Sequence, residues 1–442
     1  MKTPIYDFAR EYANSSPARF HMPGHKGIGA LGVEKYDLTE IVGADELYSP
    51  SGIIRESEEN ATALFKTAHT FYLSEGSTLG IKAMLALATE GIKSPRILAA
   101  RASHKALIYA AALLDIDVSW IYPSSGWHMA SQIISPESIR EALASDPSIS
   151  AVYITSPDYL GNVADIKGIS LVCREFSVPL LVDNAHGAYL AFLADSLHPI
   201  ALGADMCCDS AHKTLPVLTG GAYLHISKNA ERYLDSARSA LSLFASTSPS
   251  YLILESLDLC NSYIASGYRE MLSKTLLRAE LTKQDILALG YSVLPSEPLK
   301  IVIKTTDYGY TGGQIAEILM QNGIFVEFFD SEVLVLMLTP ENSDGDYERL
   351  VAALKDIPKK SPVKLPEYSI CKPQKVLSIR QALLSKSETV SVSDAIGRIA
   401  GAPAVSCPPA IALAVSGELI DGALVAELQK RKIETIEVVK NA

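Results

Sequence analysis

Two short stretches of this chain place ionisable side chains directly after apolar runs. In Leu180-Leu-Val-Asp-Asn-Ala-His-Gly187, a carboxylate and a histidine follow an aliphatic segment. In Asp205-Met-Cys-Cys-Asp-Ser-Ala-His-Lys-Thr-Leu215, Ser210, His212, Lys213 and Thr214 crowd the end of another. A lysine at the end of a buried strand is costly to keep charged, and most such lysines snorkel to solvent. Here polar groups surround it. The carboxyl ends of the strands in an open α/β sheet form the ligand crevice. A lysine and an acid converging there match what pyridoxal phosphate requires. The lysine forms a Schiff base, and the acid keeps the pyridine nitrogen protonated so that the ring accepts electrons.

Two further stretches belong with these. Glu75-Gly-Ser-Thr-Leu-Gly80 opens a helix, where backbone N–H groups, hydroxyls and the helix dipole suit a phosphate. Ser103-His104-Lys105 follows a strand-like run. Alone, Gly-Ser-Thr reads as a simple N-cap and His104 as a satisfied core histidine. Beside the acid and the lysine, the first reads as a phosphate turn and the second as a ring stacked on the cofactor.

Periodicity predicts the elements that must hold these groups. Helices are expected over residues 54–69 and 78–90, and strands over 96–100, 118–122, 151–155, 179–183 and 205–208. Helical stretches lie between several strands, as at 135–145, where Ser135 caps and Pro136 takes the first turn. Apolar strands spaced by helices imply an α/β domain with a mostly parallel sheet covered on both faces. A long helical region is expected over 249–290. Beyond it, strands over 300–306, 325–330 and 333–339 and a helix over 311–322 imply a small α+β domain. Residues 358–366 read as a linker by their proline and lysine content. Helices around 392–400 and 421–431 flank a proline crossing at Cys407–Pro409. The expected division is an N-terminal segment (1–52), a large domain (53–295), a small α+β domain (296–360) and a C-terminal subdomain (367–442).

Composition narrows the function classes. With 442 residues, 48% apolar and 20% charged, the chain is an ordinary globular mixture of two or three domains, neither disordered nor collagen-like. Lys and Arg total 39 against 50 Asp and Glu, and no basic run interleaves with aromatics, so nucleic acid is not an expected partner. The longest apolar run, from Ala106 to Leu114, is too short to span a bilayer. The opening Met-Lys-Thr-Pro-Ile-Tyr-Asp-Phe has an acid and a proline where a secretory signal is apolar, so a cytoplasmic protein is expected. Cys173, Cys207, Cys208, Cys260, Cys371 and Cys407 form no Cys-x-x-Cys pair and read as reduced core thiols, with no metal expected.

Along the chain the order is phosphate turn, stacking histidine, acid, lysine, as in fold-type-I pyridoxal-phosphate enzymes. More narrowly, Arg19-Phe-His-Met-Pro-Gly-His-Lys-Gly27, Asp37-Leu-Thr-Glu40 and Ser210-Ala-His-Lys-Thr-Leu-Pro216 resemble the Orn/Lys/Arg decarboxylase family. So do Thr155-Ser-Pro-Asp-Tyr-Leu-Gly161, Ser248-Pro-Ser-Tyr251 and Asp394-Ala-Ile-Gly-Arg-Ile-Ala400. The matches cover nearly the whole chain and are most similar to the short members, which have no extra N-terminal domain. The resemblance implies an aspartate-aminotransferase-like large domain with a smaller C-terminal α+β domain. It also implies pyridoxal 5'-phosphate as cofactor, and arginine, lysine or ornithine as substrate, giving CO2 and the corresponding amine. By position, Lys213 carries the Schiff base, Asp183 pairs with the pyridine nitrogen and His104 stacks on the ring. Gly76, Ser77, Thr78, Ser210 and His212 hold the phosphate or order its surroundings. Ala185 leaves room at the ring's other face, and His186 makes either a structural hydrogen bond or a contact near the cofactor hydroxyl. Glu75 and Ala102 stand where the family usually has Asn, and Tyr48 where it has His. Ser406-Cys-Pro-Pro-Ala-Ile-Ala412 departs from the family's usual C-terminal pattern. These departures bear on the substrate rather than the cofactor.

Two alternatives stay open. An aminotransferase or another lyase would need an arginine on the substrate carboxylate, with Arg398 the small-domain candidate. A catalytically silent relative is the other, against which the intact Lys213 and Asp183 stand. A basic substrate needs an acid at its far end, from among Asp37, Glu40, Asp45, Glu46, Glu327 and Asp330. Sites of fold-type-I enzymes usually lie between two subunits. The segment 21–46, rich in Pro, Gly, His and acids, is therefore expected to cross the interface of a homodimer or higher homo-oligomer.

Overall fold

The computed structural model describes residues 1–123, 128, 133–366, 371–406 and 411–440. They fall into two units, Met1–Lys93 with Arg140–Ile154 and Asp165–Glu270, and Ser94–Ile139 with Thr155–Ala164 and Met271–Ala442. The first seven strands are β1 (His69–Leu73), β2 (Arg96–Ala100), β3 (Asp117–Ile121), β4 (Ile149–Thr155), β5 (Leu180–Asp183), β6 (Met206–Asp209) and β7 (Ala222–Ile226). Within the first unit their order is β1-β7-β6-β5-β4. β5 and β6 are parallel, and β7 is antiparallel to β6 and to β1. In the second unit β2 and β3 pair in parallel. The chain is α/β with a large mixed, mostly parallel sheet, as expected. Every residue of β5 and β6 is buried, which is why they read as unbroken apolar runs rather than alternating ones.

The second unit also holds the antiparallel sheet β10-β11-β9-β8, from β8 (Ser292–Leu294), β9 (Lys300–Lys304), β10 (Phe328–Phe329) and β11 (Val333–Met337). The expected helix at 311–322 runs over Gly312–Gln321, started by a reciprocal cap between Thr311 and Gln314. Two antiparallel pairs follow, β12 (Ser387–Ser391) with β15 (Thr435–Val439), and β13 (Ala404–Ser406) with β14 (Ile411–Ala414). A core of Val392, Ala395, Ile411, Leu413, Ile420, Leu424, Leu428, Ile436 and Val438 packs among them.

Several expectations need correction. The helix expected to reach residue 69 ends at Phe65 with Lys66 left-handed, because His69 begins β1 and pairs with Ile226. The long helical region is two helices, Tyr251–Ala265 and Tyr268–Ala288, parted at Gly267 with φ +102°. The strand expected over 325–330 is only Phe328–Phe329. The helix expected near 392–400 is one 3-10 turn, Val392–Ala395, because Ile399 bridges Leu419 and Ala400 bridges Val438. Cys173, Cys207, Cys208 and Cys260 are unpaired core thiols, but Cys371 is only half-buried. Cys407–Pro409 lie outside the described residues. No helix among the described residues is long and apolar enough to cross a membrane.

Two buried charge groups give stability predictions. In the second unit, Arg101 and Glu418 form a two-pronged pair, Nη1–Oε1 2.6 Å and Nη2–Oε2 2.8 Å. Nη2 also donates to the Leu413 carbonyl at 2.9 Å, and Oε2 accepts from the Val415 N–H at 2.8 Å. Glu418→Ala strands a buried guanidinium and should cost ~3–5 kcal/mol in urea unfolding. A loss below ~1 kcal/mol would show an ordinary surface pair.

In the first unit, burial first, then Asp37 and Asp258, push the Glu255 carboxyl up to about 8. A raised folded-state value means that this group favours folding fully below its unfolded value and loses that contribution as pH rises through about 8. Glu255→Gln should therefore flatten the fall in Tm between about pH 5 and pH 8, with its largest gain at the alkaline end. Parallel Tm profiles for the two proteins would contradict this.

Candidate active site

Because β5 and β6 are parallel with Asp183 opposite Cys208, their carboxyl ends deliver Asp183 and the Ser210–Lys213 turn to one edge of the sheet. Asp183 is 2% exposed. Its carboxylate accepts from the Tyr153 hydroxyl at 3.2 Å and from the Ala185 N–H at 3.2 Å, with Cys208 Sγ 4.0 Å away. Lys213 sits in the short helical turn Ala211–Thr214, its N–H donating to the Ser210 carbonyl at 3.0 Å. Lys213 Nζ lies 3.2 Å from His186 Nε2, so the two chemistry-bearing stretches meet directly. Of the two readings of His186, this contact is with the lysine itself. Ala185 is buried between these groups in sequence.

The phosphate-turn residues form the next layer. Gly76 has φ +71° and no atom within 4 Å of where a Cβ would sit, and its N–H donates to the Gly220 carbonyl at 2.7 Å. The helix Gly76–Ala88 starts there. It lies so close on β6 that a Cβ on Gly80 would come within 2.7 Å of Cys208 Cβ. Ser77 accepts a 2.9 Å hydrogen bond from the Ser210 hydroxyl, joining the helix start to the lysine turn, while Thr78 is exposed. His212 Nδ1 contacts the Gly221 carbonyl at 2.9 Å, and burial holds its ring below the ordinary imidazole pKa. A neutral ring donating from Nδ1 satisfies both observations.

His104 belongs to the second unit. It caps the helix Lys105–Leu114, its Nδ1 accepting from the Ala106 N–H at 3.2 Å, and its backbone bridges Ile411. In the same unit Arg398, the candidate carboxylate clamp, binds Glu388 Oε1 at 2.7 Å and the Val439 carbonyl at 2.9 Å. Asp330 is tied to His128 at 3.0 Å, and Glu327 accepts from the Tyr159 hydroxyl at 2.8 Å. In the first unit Asp45 accepts from the N–H groups of Ser51, Gly52 and Ile54 and so starts the helix Ile53–Phe65. Asp37 pairs with His25 at 3.1 Å. Four of the six candidate acids thus have structural partners.

Tyr153 is the residue that sequence reasoning passed over. It lies in β4 and reads there as one more apolar strand position, yet its hydroxyl reaches the acid at the end of β5. A polar tip on a strand that precedes an acid-ended strand is the signal that would have found it.

A lysine amine, a supported carboxylate, a hydroxyl pair at a helix start and an open glycine form the donor set that suits pyridoxal phosphate. Comparison with known proteins agrees. The profile described as Orn/Lys/Arg decarboxylase, major domain, matches residues 3–306. The uncharacterized protein YaaO of Bacillus subtilis is 31% identical over 97% of this chain and 94% of its own length. An arginine decarboxylase of the same organism is 30% identical over 95% and 91%. The constitutive lysine decarboxylase of E. coli superposes with a TM-score of 0.80 at 16% identity, covering 99% of this chain and 82% of that one. On the match over residues 3–306, this chain belongs to the Orn/Lys/Arg decarboxylases, a family of pyridoxal-phosphate-dependent carboxy-lyases.

Proposed function

We propose that this protein decarboxylates a basic amino acid, with pyridoxal phosphate held at the carboxyl ends of β5 and β6. The observation that carries the reading is the 3.2 Å approach of Lys213 Nζ to His186 beside the buried, doubly supported carboxylate of Asp183. When bound, the cofactor supplies a sink for the electron pair released as the bond from Cα to the carboxylate breaks. Asp183 holds a proton at the ring nitrogen, and Tyr153 and the Ala185 N–H keep its carboxylate aimed. Ser77, Ser210 and the first turn of Gly76–Ala88 bind the phosphate. His212 orders that region through Gly221, and Ala185 leaves space beside the ring. Lys213 would hold the cofactor covalently in the resting protein, and its Nζ, steered by His186, would be the group that returns a proton to the substrate carbon. The reading gives His104 a stacking role. Relatives named arginine decarboxylase make arginine the first substrate to assay, before lysine and ornithine. Borohydride reduction of the loaded protein should fix the cofactor mass on the peptide containing Lys213; a label on another lysine would contradict the assignment.

We also propose a cytoplasmic homodimer whose segment 21–46 serves the partner's site. Phe20 and Val42 are fully exposed, with Met22, Ile28 and Leu31 mostly so, a density of bare apolar side chains that association would cover. If so, Lys213→Ala and His25→Ala proteins are each nearly inactive. Mixed dimers should regain activity, because one of their two sites has both intact parts. Exchange verified by mass without recovery of CO2 release would contradict the shared site.

A further inference from the structure

Directly before the phosphate and lysine turn, the last residue of β6 is a carboxylate that the proposed chemistry does not use. Asp209 is 0% exposed. Its Oδ1 accepts from Asn184 Nδ2 at 2.6 Å. Its Oδ2 lies 3.0 Å from His198 Nε2 and 3.1 Å from His225 Nε2. His225 Nδ1 in turn meets the Thr70 hydroxyl at 2.9 Å, and Thr70 meets Thr67 at 2.8 Å. Phe65 packs its ring 4.5 Å from that of His225, and the two imidazoles stand nearly perpendicular, 5.2 Å apart.

A buried anion is expensive, so three N–H donors on one carboxylate call for an explanation. Burial opposes the charge of Asp209, but His198 and His225 outweigh it and hold the carboxyl well below its usual range. Burial keeps His225 below the ordinary imidazole value despite its acid partner. The group is thus an anion held by N–H donors from both imidazole rings. Asn in its place would keep the shape but lose the charge, and its NH2 group would face the Asn184 NH2 group unless that amide turned over.

The anion ties together the two turns that carry the chemistry. Asn184 immediately follows Asp183, and its backbone N–H donates to the Cys208 carbonyl at 3.0 Å. The turn then closes with the Gly187 N–H donating to the Asn184 carbonyl at 2.8 Å. It is so tight that a Cβ on Gly187 would come within 2.0 Å of Asn184 Oδ1. Moving Asn184 therefore moves Asp183, Ala185 and His186 together. Asp209 also begins the turn that ends in Lys213. Its histidines come from β7 and from the residue before the helix Pro199–Leu202, so with Asn184 three separate segments converge on one carboxylate.

We propose that Asp209, with His198 and His225, is a positioning residue for the decarboxylation, fixing the Asp183 turn and the Lys213 turn relative to each other. This inference rests on the cofactor reading above. Misplacement of reacting groups by about 1 Å costs roughly a hundredfold in rate. Asp209→Asn should therefore lower kcat by roughly tenfold to a hundredfold with KM little changed.

The test compares wild type, Asp209→Asn and Asp258→Asn, the last removing a buried acid in the helix Tyr251–Ala265 that holds the N–H groups of Ile5 and Tyr6. Three properties are measured: Tm without cofactor, cofactor affinity, and visible circular dichroism with its pH titration. Both variants should lose Tm. Only Asp209→Asn should weaken cofactor binding, change the sign or size of the visible dichroism and shift the pH midpoint. A Tm loss with wild-type dichroism, affinity and midpoint would overturn the proposal and leave Asp209 a core brace. If wild type itself shows no visible band, the cofactor reading has failed instead.

Should Asp209→Asn not fold, Thr70→Val removes only the hydroxyl on His225 Nδ1. It should move the same spectral properties in the same direction by less, and an unchanged spectrum would again overturn the proposal. His198, Cys207 and Asp209 also place ligand atoms within 4.8 Å of one another. Zinc found at one per chain, lost in Asp209→Asn, would replace the hydrogen-bond account with a metal site.

Discussion

Lys213→Ala is expected to reduce CO2 release to background and to remove the visible absorbance of the cofactor-loaded protein, with far-ultraviolet dichroism unchanged. The side chain is half-buried, and its Nζ approaches His186 at 3.2 Å. Truncation therefore removes a covalent anchor and a proton carrier but little packing. The backbone of the turn is held by the Ser210 carbonyl and by Gly221, which the substitution does not touch. Retention of both colour and turnover would mean that another lysine carries the chemistry.

The second large effect is expected from Asp183→Asn. The replacement keeps the shape, and its remaining oxygen still accepts from Tyr153 or the Ala185 N–H. The fold and cofactor binding should therefore survive. The charge that keeps a proton on the ring nitrogen is lost, so the electron sink weakens and the rate should fall by several orders of magnitude. Tyr153→Phe offers a graded companion. It leaves the charge but removes one of two supporting bonds, and should cost a smaller factor. Near-normal kinetics for Asp183→Asn would rule the residue out as the ring partner.

These predictions rest on groups that sequence reasoning could find because each stands at the end of a strand. Leu180-Leu-Val-Asp and Met206-Cys-Cys-Asp are apolar until their last residue, and that break marks where a buried strand reaches its crevice. The cap at Ser135 and Pro136 was equally local and is found at Pro136–Ser145. What escaped was non-local. His69 looks like the last residue of the preceding helix until β7, far along the chain, pairs with it. Residues 396–400 carry helical spacing, but bridges to Leu419 and Val438 claim their backbone instead. Tyr153 and Asn184 looked like filler within strand and turn, because the partners that give them a role lie 30 and 25 residues away. Gly267 is a different case. A left-handed break at a glycine inside a helical pattern is a local signal, and apolar periodicity on both sides masked it.

The central claim is that the carboxylate of a basic amino acid leaves as CO2 at the site built around Lys213. The direct measurement is CO2 release from arginine, lysine and ornithine by the pyridoxal-phosphate-loaded protein, with the organic product identified by mass. One of the three should give CO2 and its amine in equal amounts, and Lys213→Ala should give neither. A protein that carries cofactor on Lys213 yet releases no CO2 from any of them, or that yields a keto acid instead of an amine, would contradict the account.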